Sequence, residues 1–282
     1  VTIGMASSEK RGFFVWWGVA VLSFVLFSTN AYHRVVPFDL RAEFSPPPIP
    51  YRDALRRLDA LQPLLSAQEF AIQATQIYHS AIRYDWPDGL SRIDFRDNWI
   101  LFLASGLDPL LAALKLQRQE TRIFTNFESF KYQRALGRGF GICSQNALGL
   151  ADLLHRRYGV QTRVVGLDGH VVLQIELDDG GSMISDPSLG LTLPFGIDDA
   201  PGEIGYVRRV YGEAGHAGLG ERYDEQGNLL GPEVGAGPYA PPFYRQKAVQ
   251  WFERTADVAS WLLSFCTFLF AVGKIRRSRA RR

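Results

Sequence analysis

Two kinds of hydrophobic pattern divide this chain. At its ends the apolar residues run without interruption: Phe13–Ala31 holds nineteen residues and no charge, and Val258–Gly273 holds sixteen. At about 1.5 Å per residue the first run nearly spans a hydrocarbon core of about 30 Å. Thr255, Ala256 and snorkelling basic side chains extend the second. Between these runs the apolar residues are periodic instead. Ser66-Ala67-Gln68-Glu69 spells a capping box, and Phe70, Gln73, Ala74, Ile77 and Ala81 follow at helical spacing. Trp86-Pro87-Asp88-Gly89 breaks the chain. A helix is predicted over 98–117 with an interruption at Gly106 or Pro109, and another over 126–136. Ala147, Leu150, Ala151, Leu154 and Tyr158 predict a helix that ends at Gly159. From Thr162 to Asp186 the pattern changes to strands, with a hairpin turn in Asp178-Asp179-Gly180-Gly181. A further strand is expected over 206–211. Residues 212–242, rich in Gly and Pro, are expected to return to the membrane as loops and short strands.

The resulting organisation is an N-terminal segment over 1–12, a transmembrane helix over 13–31, and a spacer with a first helix over 32–65. A folded α+β domain of helices and antiparallel sheet follows over 66–211. After it come a return segment over 212–255, a second transmembrane helix over 256–273 and a basic tail over 274–282. Ser45-Pro46-Pro47-Pro48-Ile49-Pro50 in the spacer cannot be helical and is expected to be stiff and extended. A cleaved signal peptide is the alternative for the first apolar run, with Thr29-Asn30-Ala31 at the cleavage site. The length of the run favours an uncleaved anchor.

Charge sharpens this picture. The net charge is +2, but the tail from Lys274 supplies +6, residues 1–31 supply +1 and Asp257 supplies −1, which leaves −4 on residues 32–255. A mildly acidic domain is a poor partner for nucleic acid. The basic tail suits anionic lipid head groups and, with Lys10 and Arg11, places both ends in the cytoplasm by the positive-inside rule. The expected location is thus a cytoplasmic (inner) membrane crossed twice, with residues 32–255 on the periplasmic side. Only two cysteines occur, Cys143 and Cys266, and on this topology they cannot pair. The five histidines are scattered, so no metal spacing is visible, and no cofactor motif is present.

The candidate chemistry lies between the membrane segments. Cys143 follows Gly139-Phe140-Gly141-Ile142 and opens the helix that ends at Gly159. His170 opens the strand Val171–Leu177, and Asp186 closes the next strand before Pro187. Backbone N–H groups at a helix start favour a thiolate and supply donors to an oxyanion. A base on one strand and a carboxylate on its neighbour complete a cysteine nucleophile system. His170 and Asp186 share a sheet face if the hairpin loop holds an odd number of residues, as a loop of Asp179-Gly180-Gly181 would. Gln145, Trp99 and Gln133 are candidates for a second oxyanion donor.

In order and in flanking residues these motifs resemble the transglutaminase-like superfamily, of the membrane-anchored bacterial type. The resemblance is best over 130–190, about a fifth of the chain. It implies a papain-like fold with a Cys143–His170–Asp186 triad. His170 would deprotonate Cys143, the thiolate would attack an amide or ester carbonyl, and Asp186 would orient the imidazole. The acyl group would pass from the thioester to water or to an amine, in a protein or envelope peptide outside the cytoplasm. Two alternatives belong to other classes. Gly141-Ile142-Cys143 and Asp186-Pro187-Ser188-Leu189-Gly190 also resemble arylamine N-acetyltransferases, whose cytosolic donor the topology argues against. The remaining alternative is a non-catalytic scaffold module within an envelope protein complex.

Overall fold

The computed structural model describes residues 7–35, 49–61, 66–84, 95, 98–107, 110, 113–114, 131–224, 229–234 and 246–280. The chain divides into two compact units. One comprises Pro37–Leu90 and Glu128–Gln250, the other Val1–Val36, Ser91–Phe127 and Trp251–Arg282.

The first unit is α+β. Helix α2 (Tyr51–Leu61) precedes α3 (Ala67–Ala81). The capping box predicted for α3 is present: Ser66 Oγ accepts the Glu69 N–H, and the Glu69 carboxylate accepts the Ser66 N–H at 3.1 Å. A short strand β1 (Arg83–Tyr84) pairs in parallel with β2 (Phe140–Gly141), which follows helix α5 (Tyr132–Arg138). The 126–136 helix prediction therefore falls partly outside the described residues, and its described part is helical. Helix α6 (Cys143–Tyr158) buries Ala147, Leu150, Ala151 and Leu154 and ends at Gly159, whose φ of 67° is the left-handed conformation glycine favours. Tyr78 of α3 packs over Gly149 of α6, where any Cβ would collide with its hydroxyl, and Phe70 stacks on Tyr158 at 4.1 Å between ring centroids. Helices α3 and α6 are thus locked together by shape as well as by area.

The sheet is antiparallel in the order β6-β5-β4-β3-β7, with β3 Thr162–Leu167, β4 His170–Glu176, β5 Ser182–Asp186, β6 Leu191–Leu193 and β7 Leu229–Val234. Its two faces are covered differently. Ser185 meets Thr75 of α3 at 2.7 Å between hydroxyls. On the opposite face, Val172 and Ile184 pack with Val207 and Tyr211 of helix α7 (Ile204–Glu213) and with Tyr223. Tyr223 lies in the 3₁₀ turn Glu221–Asp224, which follows the short helix α8 (Ala217–Gly220).

One expectation changes here. The strand expected over 206–211 is part of α7. Val207 and Tyr211, four apart, are both buried, whereas strand alternation would also bury Arg209, which is exposed. Within 212–242, where short strands are expected, Leu229–Val234 forms β7, the edge strand beside β3.

In the second unit, α1 (Ser7–Val35) and α9 (Gln246–Ala280) are each long and apolar enough to cross a membrane. They pack antiparallel: Trp16 meets Phe270 at 5.4 Å, and Phe27 meets Trp261 at 5.0 Å between ring centroids. Ala20 and Ala271 lie at the contact, where small side chains let backbones approach closely. Antiparallel packing puts the first residues of α1 beside the last turns of α9, and Lys274 sits over the Trp16 ring. Helix α9 extends well beyond the predicted span of 256–273, taking in ten residues before it and most of the basic tail. Helix α4 (Trp99–Ser105) gives way at Gly106, one of the two predicted interruptions, and is N-capped by Asn98.

Candidate active site

Cys143, His170 and Asp186 converge. Cys143 is the first residue of α6 and His170 the first of β4, and the imidazole lies within hydrogen-bonding reach of the thiol. His170 Nε2 lies 2.7 Å from Asp186 Oδ2 and donates to it. That leaves Nδ1 for the sulfur. His170 is 2% exposed and Asp186 1%, while Cys143 is half-buried, so the network is sealed at the carboxylate and opens at the thiol.

The hairpin explains how the two strands cooperate. Leu177 N–H donates to Gly181 O and Gly180 N–H to Leu177 O, so the three-residue loop is Asp178-Asp179-Gly180, one residue earlier than expected. Gly180 takes φ of 83° there. The loop length is still odd, so His170 and Asp186 share a face. With Leu173 opposite Ser185, Asp186 falls opposite Val172, a diagonal neighbour of His170. The stagger is bridged by the reach of the imidazole.

Asp186 accepts four hydrogen bonds. Oδ1 takes the Ser188 and Leu189 N–H groups at 3.0 and 3.3 Å, and Oδ2 takes His170 Nε2 and the Tyr211 hydroxyl, the latter at 3.0 Å. Tyr211 in turn meets Tyr223 at 2.7 Å between hydroxyls. Burial, Tyr223 and the Asp186 charge push the Tyr211 phenol well above its usual range, so it stays a donor. For His170, burial disfavours the charged ring. The hydrogen bonds to Asp186 and Cys143, and their charges, outweigh it and carry the pKa from 6.5 up to about 9. The imidazolium is thus the favoured partner of this thiol at neutral pH.

A tyrosine that the sequence did not single out completes the surroundings. Tyr84 is opposite Gly141 in the β1–β2 pair, which carries its side chain to the site. Its hydroxyl is within hydrogen-bonding reach of Cys143, and its ring stands edge-on to His170, 6.5 Å away at 84°. Tyr84 is 48% exposed, and burial together with the Cys143 charge and hydrogen bond pushes it up to about 12. Gly141 must be bare: a Cβ would lie 2.8 Å from Asn146 Oδ1 and 3.2 Å from Gln145 Cγ. Of the three residues considered as second oxyanion donor, Gln133 is exposed on α5, Gln145 is fully buried with its stem against Gly141, and Trp99 belongs to the other unit. Tyr84, Tyr211 and Tyr223 were invisible as site residues because no local spacing ties them to Cys143.

Among the described residues no three His, Cys, Asp or Glu side chains converge as metal ligands. Comparison with known proteins returns no matching family model, curated protein or solved structure.

Proposed function

We propose that this protein is a membrane-anchored, transglutaminase-like cysteine enzyme that forms a thioester on Cys143. Its substrate is an amide in a protein or envelope peptide outside the cytoplasm. The observation that carries this reading is the joint placement of a half-buried thiol, a buried imidazole and a buried carboxylate, drawn from a helix start and two strands, with each imidazole nitrogen given one partner. The thiolate attacks the carbonyl carbon, and the leaving amine takes its proton from His170 Nδ1. Water or a second amine then releases the acyl group. Asp186 holds the ring and favours its charged form.

Alkylation of Cys143 by iodoacetamide at pH 7 tests the reading. The rate is expected to exceed that of free cysteine and to fall at least about tenfold in His170→Ala. A rate like that of a free thiol, unchanged in His170→Ala, favours the scaffold alternative. Once a substrate is found, Cys143→Ala and His170→Ala should each abolish turnover, and Asp186→Asn should cost less, since that residue orients rather than reacts.

The membrane assignment rests on the two long apolar helices and their antiparallel packing. The positive charges after Gly273 and the pair Lys10 and Arg11 support a cytoplasmic location for both ends. Reporter fusions at Arg282 and near Gly235 should report inside and outside, respectively. An external Arg282 would overturn the orientation.

A further inference from the structure

The thioester chemistry needs a second donor for the oxyanion, and in this unit Gln133 is exposed on α5 while Gln145 is fully buried beneath Gly141. A tetrahedral intermediate on Cys143 places its oxygen about one bond beyond the carbon attached to sulfur. A donor already within reach of the sulfur is therefore close to that oxygen. One donor is the Cys143 N–H at the start of α6, where the N-cap Ile142 contributes no side-chain hydrogen bond. The other must come from outside the helix.

We infer that the Tyr84 hydroxyl is that second donor and acts as a catalytic residue. It hydrogen-bonds the thiolate before attack and the carbonyl oxygen during it. This rests on the reading of Cys143 as a nucleophile. Three observations converge on Tyr84. The parallel pairing of Arg83 with Phe140 and of Tyr84 with Gly141 fixes its backbone beside Gly141, the residue two before Cys143. Its ring packs edge-on to His170, which sets the direction of the hydroxyl. That hydroxyl reaches the sulfur. Its half-exposed position also puts it at the open end of a network whose other end is buried, which is where an incoming carbonyl must arrive.

The step balances without a further reactant. The sulfur lone pair forms the S–C bond as the C=O π pair moves onto oxygen. The Cys143 N–H and the Tyr84 O–H donate to that oxygen without transferring a proton. Collapse re-forms C=O and breaks the C–N bond, and the amine leaves with the proton from His170 Nδ1. Tyr84 suits this role because its proton is held tightly: near neutral pH it donates a hydrogen bond and is not consumed as an acid.

Two reagents separate the roles. Acylation of Cys143 by p-nitrophenyl acetate passes through an oxyanion, whereas alkylation by iodoacetamide displaces iodide and forms none. Both rates are measured on the full chain in detergent with Cys266→Ser, so that Cys143 is the remaining thiol, and Cys143→Ala supplies the background. In Tyr84→Phe, which keeps the ring against His170, the ratio of acylation to alkylation rates should fall about 10²-fold. A ratio within threefold of the parent overturns the proposal, including the case in which both rates rise together because the phenol merely screens the thiol. His170→Ala is run alongside. If it leaves both parent rates unchanged, the nucleophile reading itself fails. If it lowers both while Tyr84→Phe leaves the ratio intact, only the Tyr84 assignment fails.

Discussion

Asp186 and Asp257 are both buried, one in each unit, yet they are held in different ways. Asp186 accepts from an imidazole, a phenol and two backbone N–H groups, and its network runs on through His170 to a half-buried thiol. Asp257 accepts from the Asn98 amide at 2.9 Å, while Asn98 Oδ1 accepts the Ile100 and Leu101 N–H groups and so caps α4. The first carboxylate is coupled to an imidazole whose pKa it helps raise to about 9. The second is joined to a neutral amide whose other end is fixed in a helix cap. Nearby on α9, Ser260 donates to the Asp257 backbone carbonyl and Ser264 to the Ser260 backbone carbonyl, so both hydroxyls are satisfied by the preceding turn of the helix. A buried carboxylate is a chemical group when its hydrogen bonds lead to a titratable and accessible atom, and an architectural one when they close on backbone.

The largest expected effect is on Asp186. Asp186→Ala leaves a buried imidazole, a buried phenol and two N–H groups without their acceptor. The local stability of β4 and β5, read by hydrogen exchange, should fall by about 3–5 kcal/mol. A loss under about 1 kcal/mol would show that the carboxylate is not the centre of the network.

Next is the pH dependence. His170 has a raised folded-state pKa, so its contribution to stability is complete below about pH 6.5 and is lost as pH rises through about 9. The thermal midpoint should therefore decline across that window in the wild type. It should be flatter in Asp186→Asn, which removes the charge that favours imidazolium. An Asp186→Asn profile parallel to wild type would break the link between the two residues.

Tyr211→Phe removes one of the four donors to Asp186 and leaves Tyr223 without its hydroxyl partner. A loss of about 1–2 kcal/mol is expected. The smallest effect belongs to the other aspartate. Asp257→Asn keeps an acceptor for Asn98 and should cost about 1 kcal/mol or less, without altering Cys143 reactivity. A loss above about 3 kcal/mol would show that Asp257 serves a charged network of its own, and the contrast with Asp186 would dissolve.

Several features were legible in the sequence because their causes lie within a few residues of each other. The uninterrupted apolar runs mark α1 and much of α9. Ser66 and Glu69 fix the start of α3, and Gly159 fixes the end of α6. The side-chain period of strands, with an odd hairpin loop, was enough to put His170 and Asp186 on one face even though the loop itself is displaced by one residue.

What the tertiary structure decided is long-range. Residues 204–213 have apolar positions that serve a strand or a helix, and only the buried faces of Val207 and Tyr211 against the sheet select the helix. Leu229–Val234 becomes an edge strand because β3 offers unpaired backbone groups there. Tyr84, Tyr211 and Tyr223 join the site from positions far apart in the chain. Closing such loops costs conformational entropy, which only the sum of packing contacts offsets, so no local pattern announces the pairing. The sequence by itself determined which groups could do chemistry and on which elements they stand. The packing of those elements determined which tyrosine reaches the sulfur and which one steadies the carboxylate, because those contacts exist only once the chain is folded.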